Sequence, residues 1–245
     1  MNIARHQESA FGNQPARPTA APKIAGPMSL ALALLTCALA TPSLLRAQDN
    51  PTAHDVAALV DHHYNQLHSL RAGFTETYVG LGISRSESGT LLLLKPGRMR
   101  WDYTQPAGKL FLIDGKYAWF YAQGEAEVQR MAARQLDDLR SPLRFLLGHT
   151  ELEKEMTGLH LDPASNGAGY TLVGQPKGQE NRVRRVSLTV APHTGAILAI
   201  EIDEQDGAVT KFTFTGEQPN PSIPANTFHF TPPAGVPVVD ALPPA

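Results

Sequence analysis

GTLLLLKPGRMRWDYTQPAGKLFLIDGKYAWFY, residues 89–121, decides the fold. The stretch divides into four short β-forming runs, Leu91–Lys95, Arg98–Tyr103, Lys109–Ile113 and Tyr117–Tyr121. They are separated by Pro96-Gly97, by Pro106 to Gly108 and by Asp114-Gly115. An Asp-Gly pair between β-formers is a hairpin signal. In the second run Met99, Trp101 and Tyr103 alternate with Arg98, Arg100 and Asp102, which predicts an antiparallel strand with one large apolar face and one charged face. The fourth run adds Trp119 and Tyr121, so this block holds both tryptophans of the chain. Two readings are open for these rings: an ordinary core, or the lining of a space for an apolar ligand.

Outward from this block the pattern stays mostly β. Val56, Leu59, Val60, Tyr64, Leu67 and Leu70 recur at spacings of three and four and predict an amphipathic helix over 54–69. Thr52 and Asp55 form a capping-box pattern at its start. The helix carries His54, His62, His63 and His68, none of them at the i, i+4 spacing of a helical metal pair, so a solvated polar face is expected and no metal site. Gly73–Val79 reads as a strand and Leu81–Ser88 as a Gly/Ser-rich turn. Beyond the block come strands near 127–132, 159–162, 170–174, 183–190, 196–203 and 208–215, and a last one over 228–230. Asn166-Gly167, Pro176 to Gly178, His193 to Gly195 and Asp206-Gly207 supply the turns. Ser141-Pro142 opens a short apolar helix with Leu143, Phe145, Leu146 and Leu147, closed by Gly148. It suits either a core plug or a lid. Asp137-Asp138 reads as loop charge, and Arg182, Arg184 and Arg185 as the outer face of a sheet.

The N-terminus has a different character. Met28 to Ala40 is the one continuous apolar run, preceded by Arg5, Arg17 and Lys23 and ending in Ala38-Leu39-Ala40. It is short for a membrane span and fits a secretory signal cleaved after Ala40 or Ala47. Residues 1–47 are therefore expected to be leader and 48–245 the functional domain. The only cysteine, Cys37, falls within the leader, so the mature chain is expected to be held by its core and not by disulfides. Acylation of Cys37 is the alternative. A formal charge of −2 gives no nucleic-acid footprint. No P-loop, nucleophile elbow or His-Glu-x-x-His motif occurs, and no cofactor is expected.

The order of these features resembles a known family. The alternating strand before Lys95-Pro96, Trp101, Thr104-Gln105-Pro106, Asp114-Gly115-Lys116 and Trp119-Phe120-Tyr121, with Leu70–Thr75 before them and Phe228–Val236 at the end, is similar to the periplasmic outer-membrane lipoprotein carriers, LolA. The resemblance spans about residues 54–240. It implies a mainly β (α+β) fold: an incomplete antiparallel β-barrel, of about eleven strands here, with a helical lid over its concave apolar face. It also implies a monomeric periplasmic chaperone, not an enzyme, whose cargo is acylated lipoproteins. Its partners would be an ATP-driven inner-membrane release complex and, where one exists, an outer-membrane acceptor lipoprotein.

On this basis Met99, Trp101, Tyr103, Trp119, Tyr121, Leu91 and Leu93 are expected to line the lipid cavity, and Leu59, Leu143, Phe145 and Leu146 to belong to the lid. In the resembled family an arginine before the first proline holds the lid. Here the position is Lys95, expected either as a strand-end charge in water or as a weak latch on helix C-terminal carbonyls. A lipoprotein-sensing regulatory domain and a secreted lipid hydrolase are the other functional readings weighed.

Overall fold

The computed structural model describes residues 51–138, 149–165 and 169–240. The leader with Cys37 and both cleavage sites, the apolar segment with Leu143, Phe145 and Leu146, and the Asn166-Gly167 turn lie outside the described residues.

Among the described residues, twelve strands form one open sheet. From the N-terminus they are β1 (Ser69–Gly80), β2 (Ile83–Leu94), β3 (Arg98–Gln105), β4 (Ala107–Asp114), β5 (Tyr117–Ala122) and β6 (Val128–Ala132). Then come β7 (Met156–Leu161), β8 (Tyr170–Pro176), β9 (Val183–Val190), β10 (Ile197–Glu204), β11 (Val209–Pro219) and β12 (Val238–Asp240). The spatial order is β12-β6-β5-β4-β3-β2-β1-β11-β10-β9-β8-β7. The sheet is thus two antiparallel meanders joined at a central seam, where β1 pairs antiparallel with β11 from Leu70–Pro219 to Val79–Val209. β12 adds a short parallel pair at the β6 edge. The two edges, β12 and β7, do not meet. The expected incomplete barrel is present, with one strand more than predicted.

Alternation along the strands separates two faces. Across β2 to β5 the register sets Leu91, Trp101, Phe111 and Phe120 in one row and Leu93, Met99, Ile113 and Ala118 in the next. Both rows belong to the main buried cluster, with Phe74 and Leu70 from β1, Phe212 from β11 and Ile200 from β10. The opposite face holds a smaller cluster of Leu110, Leu112 and Phe228, packed by Leu92, Leu94, Trp119, Ile223 and Phe230.

Helix α1 (Ala53–Asn65) covers the main cluster with Val56, Ala57, Val60 and Tyr64, all buried. Its start is the capping box read from the sequence: Asp55 N–H donates to Thr52 Oγ1 (3.2 Å), and Thr52 N–H donates to Asp55 Oδ2 (2.8 Å). It ends at Asn65, four residues before the predicted end. Ser69 and Leu70 are already in the sheet, held by Ser69 Oγ donating to Pro221 O (2.6 Å) and by the Leu70–Pro219 pair. Strand pairing overrides the helical period there.

Three further expectations change. Leu81–Ser88 is not a turn: only Leu81-Gly82 turns, and Ile83–Ser88 is paired throughout with β1. Serine and arginine exposed on both faces hid that strand. Asp137-Asp138 ends a short helix, α2 (Ala133–Asp138), instead of lying in a loop, and Leu152–Glu155 forms the four-residue helix α3. The last strand is β12, because Phe228 closes a 3-10 turn (Ala225–Phe228) and Phe230 packs on the sheet face instead of extending an edge.

Candidate functional site

The face under α1 is lined by rings from five strands, β1, β3, β4, β5 and β11. Phe74 meets Trp101 edge-on at 4.6 Å between centroids and Tyr103 at 5.0 Å. Trp101 meets Phe212 at 5.5 Å, and Phe111 lies 4.5 Å from Phe120. Edge and offset arrangements of this kind add to simple area burial. Met99, Trp101, Leu91 and Leu93 are all nearly inaccessible, and Tyr103 packs beside them. These five predicted lining residues share one face. The rings the sequence reading did not select are Phe74, Phe111, Phe120, Phe212 and Phe214. The Phe-Thr-Phe-Thr alternation of 212–215 was the available signal for two of them.

Trp119 and Tyr121 are corrections. The register through Asp114-Gly115 pairs Trp119 with Leu112 and Tyr121 with Leu110, on the opposite side of the sheet. There both rings pack on Phe230, at 5.7 and 6.1 Å. Trp119 Nε1–H donates to Asp114 Oδ2 at 2.9 Å, so its polar group is satisfied. Trp101 differs: it is only 2% exposed, and its Nε1 has no hydrogen-bond partner. A buried, unmatched donor is uncommon, and here it sits on the concave face.

The outer face of β3 is also less wet than its charges suggested. Arg100 pairs with Asp102 through Nε–Oδ2 (2.6 Å) and Nη2–Oδ1 (2.8 Å), and its Nη1 donates to Thr227 O (2.9 Å). The guanidinium thereby pins the C-terminal segment across the sheet.

One end of the concave face is polar. Glu76 and Glu87 are direct cross-strand partners. Tyr103 Oη donates to Glu76 Oε2 (3.1 Å), Lys109 pairs with Glu87, and the Lys109 ammonium lies 4.3 Å from the Tyr103 ring centroid. Glu76 is 8% exposed, and burial pushes its carboxyl above the usual range despite the Tyr103 hydrogen bond and the nearby Lys109 charge. Burial chiefly, with the Glu76 charge second, raises the Tyr103 phenol.

Helix α1 is held over the apolar rows by polar ties concentrated in its last two turns. Lys95 Nζ donates to Tyr64 O at 2.7 Å. Burial pulls the Lys95 pKa below its ordinary value, so this cation is partly desolvated at the helix end. Tyr64 Oη accepts from Ile197 N–H (3.0 Å) and donates to Glu217 (3.4 Å). His63 Nε2 lies 2.7 Å from Glu217 Oε1, half-buried, so the expected solvated face does not extend to this histidine. Asn65 and Thr150 exchange two bonds, Asn65 Nδ2 to Thr150 O (2.9 Å) and Thr150 N to Asn65 Oδ1 (2.7 Å). Asp61 accepts from Leu152 N–H (3.1 Å).

Leu59 is on the covering helix as expected, where its backbone oxygen lies against the β9–β10 turn. A Cβ at Gly195 would stand 2.3 Å from Leu59 O, so that approach requires glycine, which also adopts φ +77° there. Between Tyr64, Leu70, Ala72, Leu91, Ile197, Ile200, Phe214 and Glu217 the helix and sheet leave about 10 Å³ of open space. That is room for about one water molecule and not for a hydrocarbon chain.

Residues 65–231 match the family described as "Outer membrane lipoprotein carrier protein LolA". Among curated proteins, the chain is 31% identical over 172 residues to the outer-membrane lipoprotein carrier protein of Chromobacterium violaceum, covering 70% of this chain and 81% of that one. It is 32% identical over 175 residues to that of Nitrosospira multiformis (70% and 82%) and 31% identical over 201 residues to that of Neisseria meningitidis serogroup B (82% and 94%). A match over most of the described sheet, in proteins whose length this chain largely spans, assigns the family: the chain belongs to the outer-membrane lipoprotein carrier proteins, LolA.

Proposed function

We propose that this protein is a periplasmic chaperone that carries lipoproteins from the inner to the outer membrane, shielding their acyl chains on the concave face beneath α1. The observation that carries the reading is the continuous apolar lining of that face, covered by a helix fastened with polar bonds at its C-terminal end. The helix also packs on that face with Val56, Ala57, Val60 and Tyr64, so opening must break these polar bonds and expose an apolar contact that an entering acyl chain then replaces.

Magnitudes favour a cover that opens at a cost. At about 0.8 kcal/mol per methylene, two or three acyl chains offer over about 30 kcal/mol. Non-covalent affinities saturate near roughly 18 to 21 kcal/mol. A carrier that delivers its cargo must therefore use part of the binding energy to displace its own contacts. The gap between Tyr64, Leu91 and Ile197 holds about one water, so chains enter there as α1 and the apolar rows move apart. Lys95 is the latch of this closed form, and Met99, Trp101, Tyr103, Leu91 and Leu93 contact the chains. Residues 1–47 are the export leader.

The protein acts by binding and not by catalysis. In this reading an ATP-driven inner-membrane complex supplies the cargo and an outer-membrane acceptor lipoprotein, where one exists, takes it. Native mass spectrometry of the protein purified from periplasm tests the reading. Co-purified acylated lipoprotein is the expected result, and a form that never retains lipid or lipoprotein, even when loaded in vitro, overturns it.

A further inference from the structure

The β1–β2 hairpin ends in Val79-Gly80-Leu81-Gly82-Ile83. Its three aliphatic side chains are 57%, 78% and 58% exposed, while the other large apolar side chains exposed among the described residues, Leu198 and Val238, reach only 37% and 38%. Val79 projects on one face of the hairpin, Ile83 on the other, and Leu81 stands at the apex, so the tip is apolar all round. Leu81 has φ +51° and Gly82 φ +77°. A two-residue turn of this shape takes Asn-Gly or Gly-Gly by preference, and a leucine in the left-handed region is strained. The apical side chain is thus costly in water and costly for the backbone.

We propose that this tip inserts into the acyl–headgroup boundary of a phospholipid bilayer. Its dimensions fit that occupant. Strands rise about 3.3 Å per residue, so Val79, Leu81 and Ile83 lie within about 7 Å of the apex, inside the roughly 5–10 Å that interfacial elements penetrate. Immediately behind them Tyr78 and Arg85 are cross-strand partners, with the guanidinium 4.7 Å from the ring centroid. An amphipathic ring and a cation at that level match the headgroup layer. A protein partner fits less well, since three side chains on one turn fall far short of the roughly 800 Å² per partner of a stable interface. On its β2 side the tip stands clear: pairing with β3 stops at Ser88–Gln105, so Ile83–Glu87 has β1 alone as a strand neighbour. On its other side the Gln205–Gly207 turn carries Asp206, and the chain bears a formal charge of −2, so the contact is apolar insertion and not electrostatic adsorption.

The insertion is independent of what occupies the concave face. It is tested by co-sedimentation of the full chain with vesicles of phosphatidylcholine and of mixed phosphatidylethanolamine and phosphatidylglycerol, at low and high salt. Wild type pellets with both compositions at both salts. Leu81→Asn combined with Ile83→Thr weakens partitioning about tenfold, and asparagine suits the left-handed turn position, so an unchanged thermal melt shows the hairpin intact. Equal pelleting of the variant overturns the proposal. So does pelleting that is confined to the anionic mixture at low salt and lost in Arg85→Gln. Wild type that stays in the supernatant with every vesicle overturns it too, and leaves the tip to a protein partner. Uptake of a hydrophobic dye, measured on the same samples, reports on the cavity separately: vesicle binding without dye uptake refutes the carrier reading and leaves this proposal standing.

Discussion

Lys95 at the end of β2 and Tyr64 in the last turn of α1 are joined by one charge-assisted bond, Nζ to backbone oxygen at 2.7 Å. The two residues tie the edge of the aromatic block to the cover above it. Lys95→Leu removes the cation from the helix C-terminus and leaves Tyr64 O without that donor. A bond of this kind contributes about 1–2 kcal/mol, so the covered form loses roughly five- to thirtyfold in population. Stopped-flow uptake of a hydrophobic dye should be faster in Lys95→Leu and release to acceptor vesicles slower, while Lys95→Arg, with its rigid multi-donor fork, should slow uptake. Equal rates in all three forms would remove the latch from this position.

Trp101 and Trp119 lie on opposite sides of one sheet and should respond differently. Trp101→Glu places a charge among Phe74, Phe212 and Met99, and should abolish dye uptake. Trp119→Ala removes packing on Phe230 and the bond to Asp114, and should lower stability by about 2–3 kcal/mol in urea unfolding while uptake by the folded fraction stays near wild type. Arg100→Glu should loosen the C-terminal segment held at Thr227 and likewise spare uptake. Loss of uptake in the outer-face variants would refute the assignment of faces.

Glu76 gives the protein a pH dependence of definite sign. Its folded pKa is raised above the ordinary 4.5 by burial. Between those two values the folded state holds a proton that the unfolded chain has lost, so unfolding free energy falls as pH rises through that window. Glu76→Gln keeps an acceptor for Tyr103 and removes the buried charge. The variant should be more stable at neutral pH by about 1 kcal/mol, a shift of roughly 2–4 °C in Tm, and its stability should change less between acid and neutral pH. A Tm that falls at neutral pH and not in acid would show that the carboxylate is needed for its charge and overturn this reading.

Gly195 sets how closely α1 can lie. Gly195→Ala drives a Cβ into Leu59 O and strains a backbone at φ +77°. The helix must lift, at an expected cost of more than about 2 kcal/mol, and hydrogen exchange along 53–65 should accelerate before that of the sheet. Unchanged protection of α1 would mean that the turn moves instead.

The mainly β architecture was legible because alternation and turn chemistry agree over most of the chain, as in Met99 to Tyr103 followed by Asp114-Gly115. The face of each aromatic strand was harder. In Tyr117–Ala122 rings occur at both parities, so the composition of the strand is consistent with either face and only its register against Leu112 and Ile113 places Phe120 inside and Trp119 outside. Ile83–Ser88 escaped notice because a hairpin exposed on both faces carries no hydrophobic period. The capping box of α1 is legible in Thr52 and Asp55, while the helix end is not, since Asn220 and Pro221 fix it from the far end of the chain. The ring cluster at Phe74, Trp101 and Phe212 draws on three strands that only the tertiary pairing brings together.

The central seam has a consequence for how the chain reaches this state. β1 to β6 can form by successive hairpins, and so can β7 to β11, each step closing a short loop. The seam cannot, because Phe74 is paired with Phe214, about 140 residues later. Contacts of such high sequence separation form late and slowly. Until they form, Phe74 and Leu70 lack their β11 neighbours, and Ser69 lacks the Pro221 anchor that fixes the exit from α1. Folding of this protein is therefore expected to be limited by the docking of two preformed half-sheets, with the apolar rows on both open to solvent, and to any holding chaperone, in the interval.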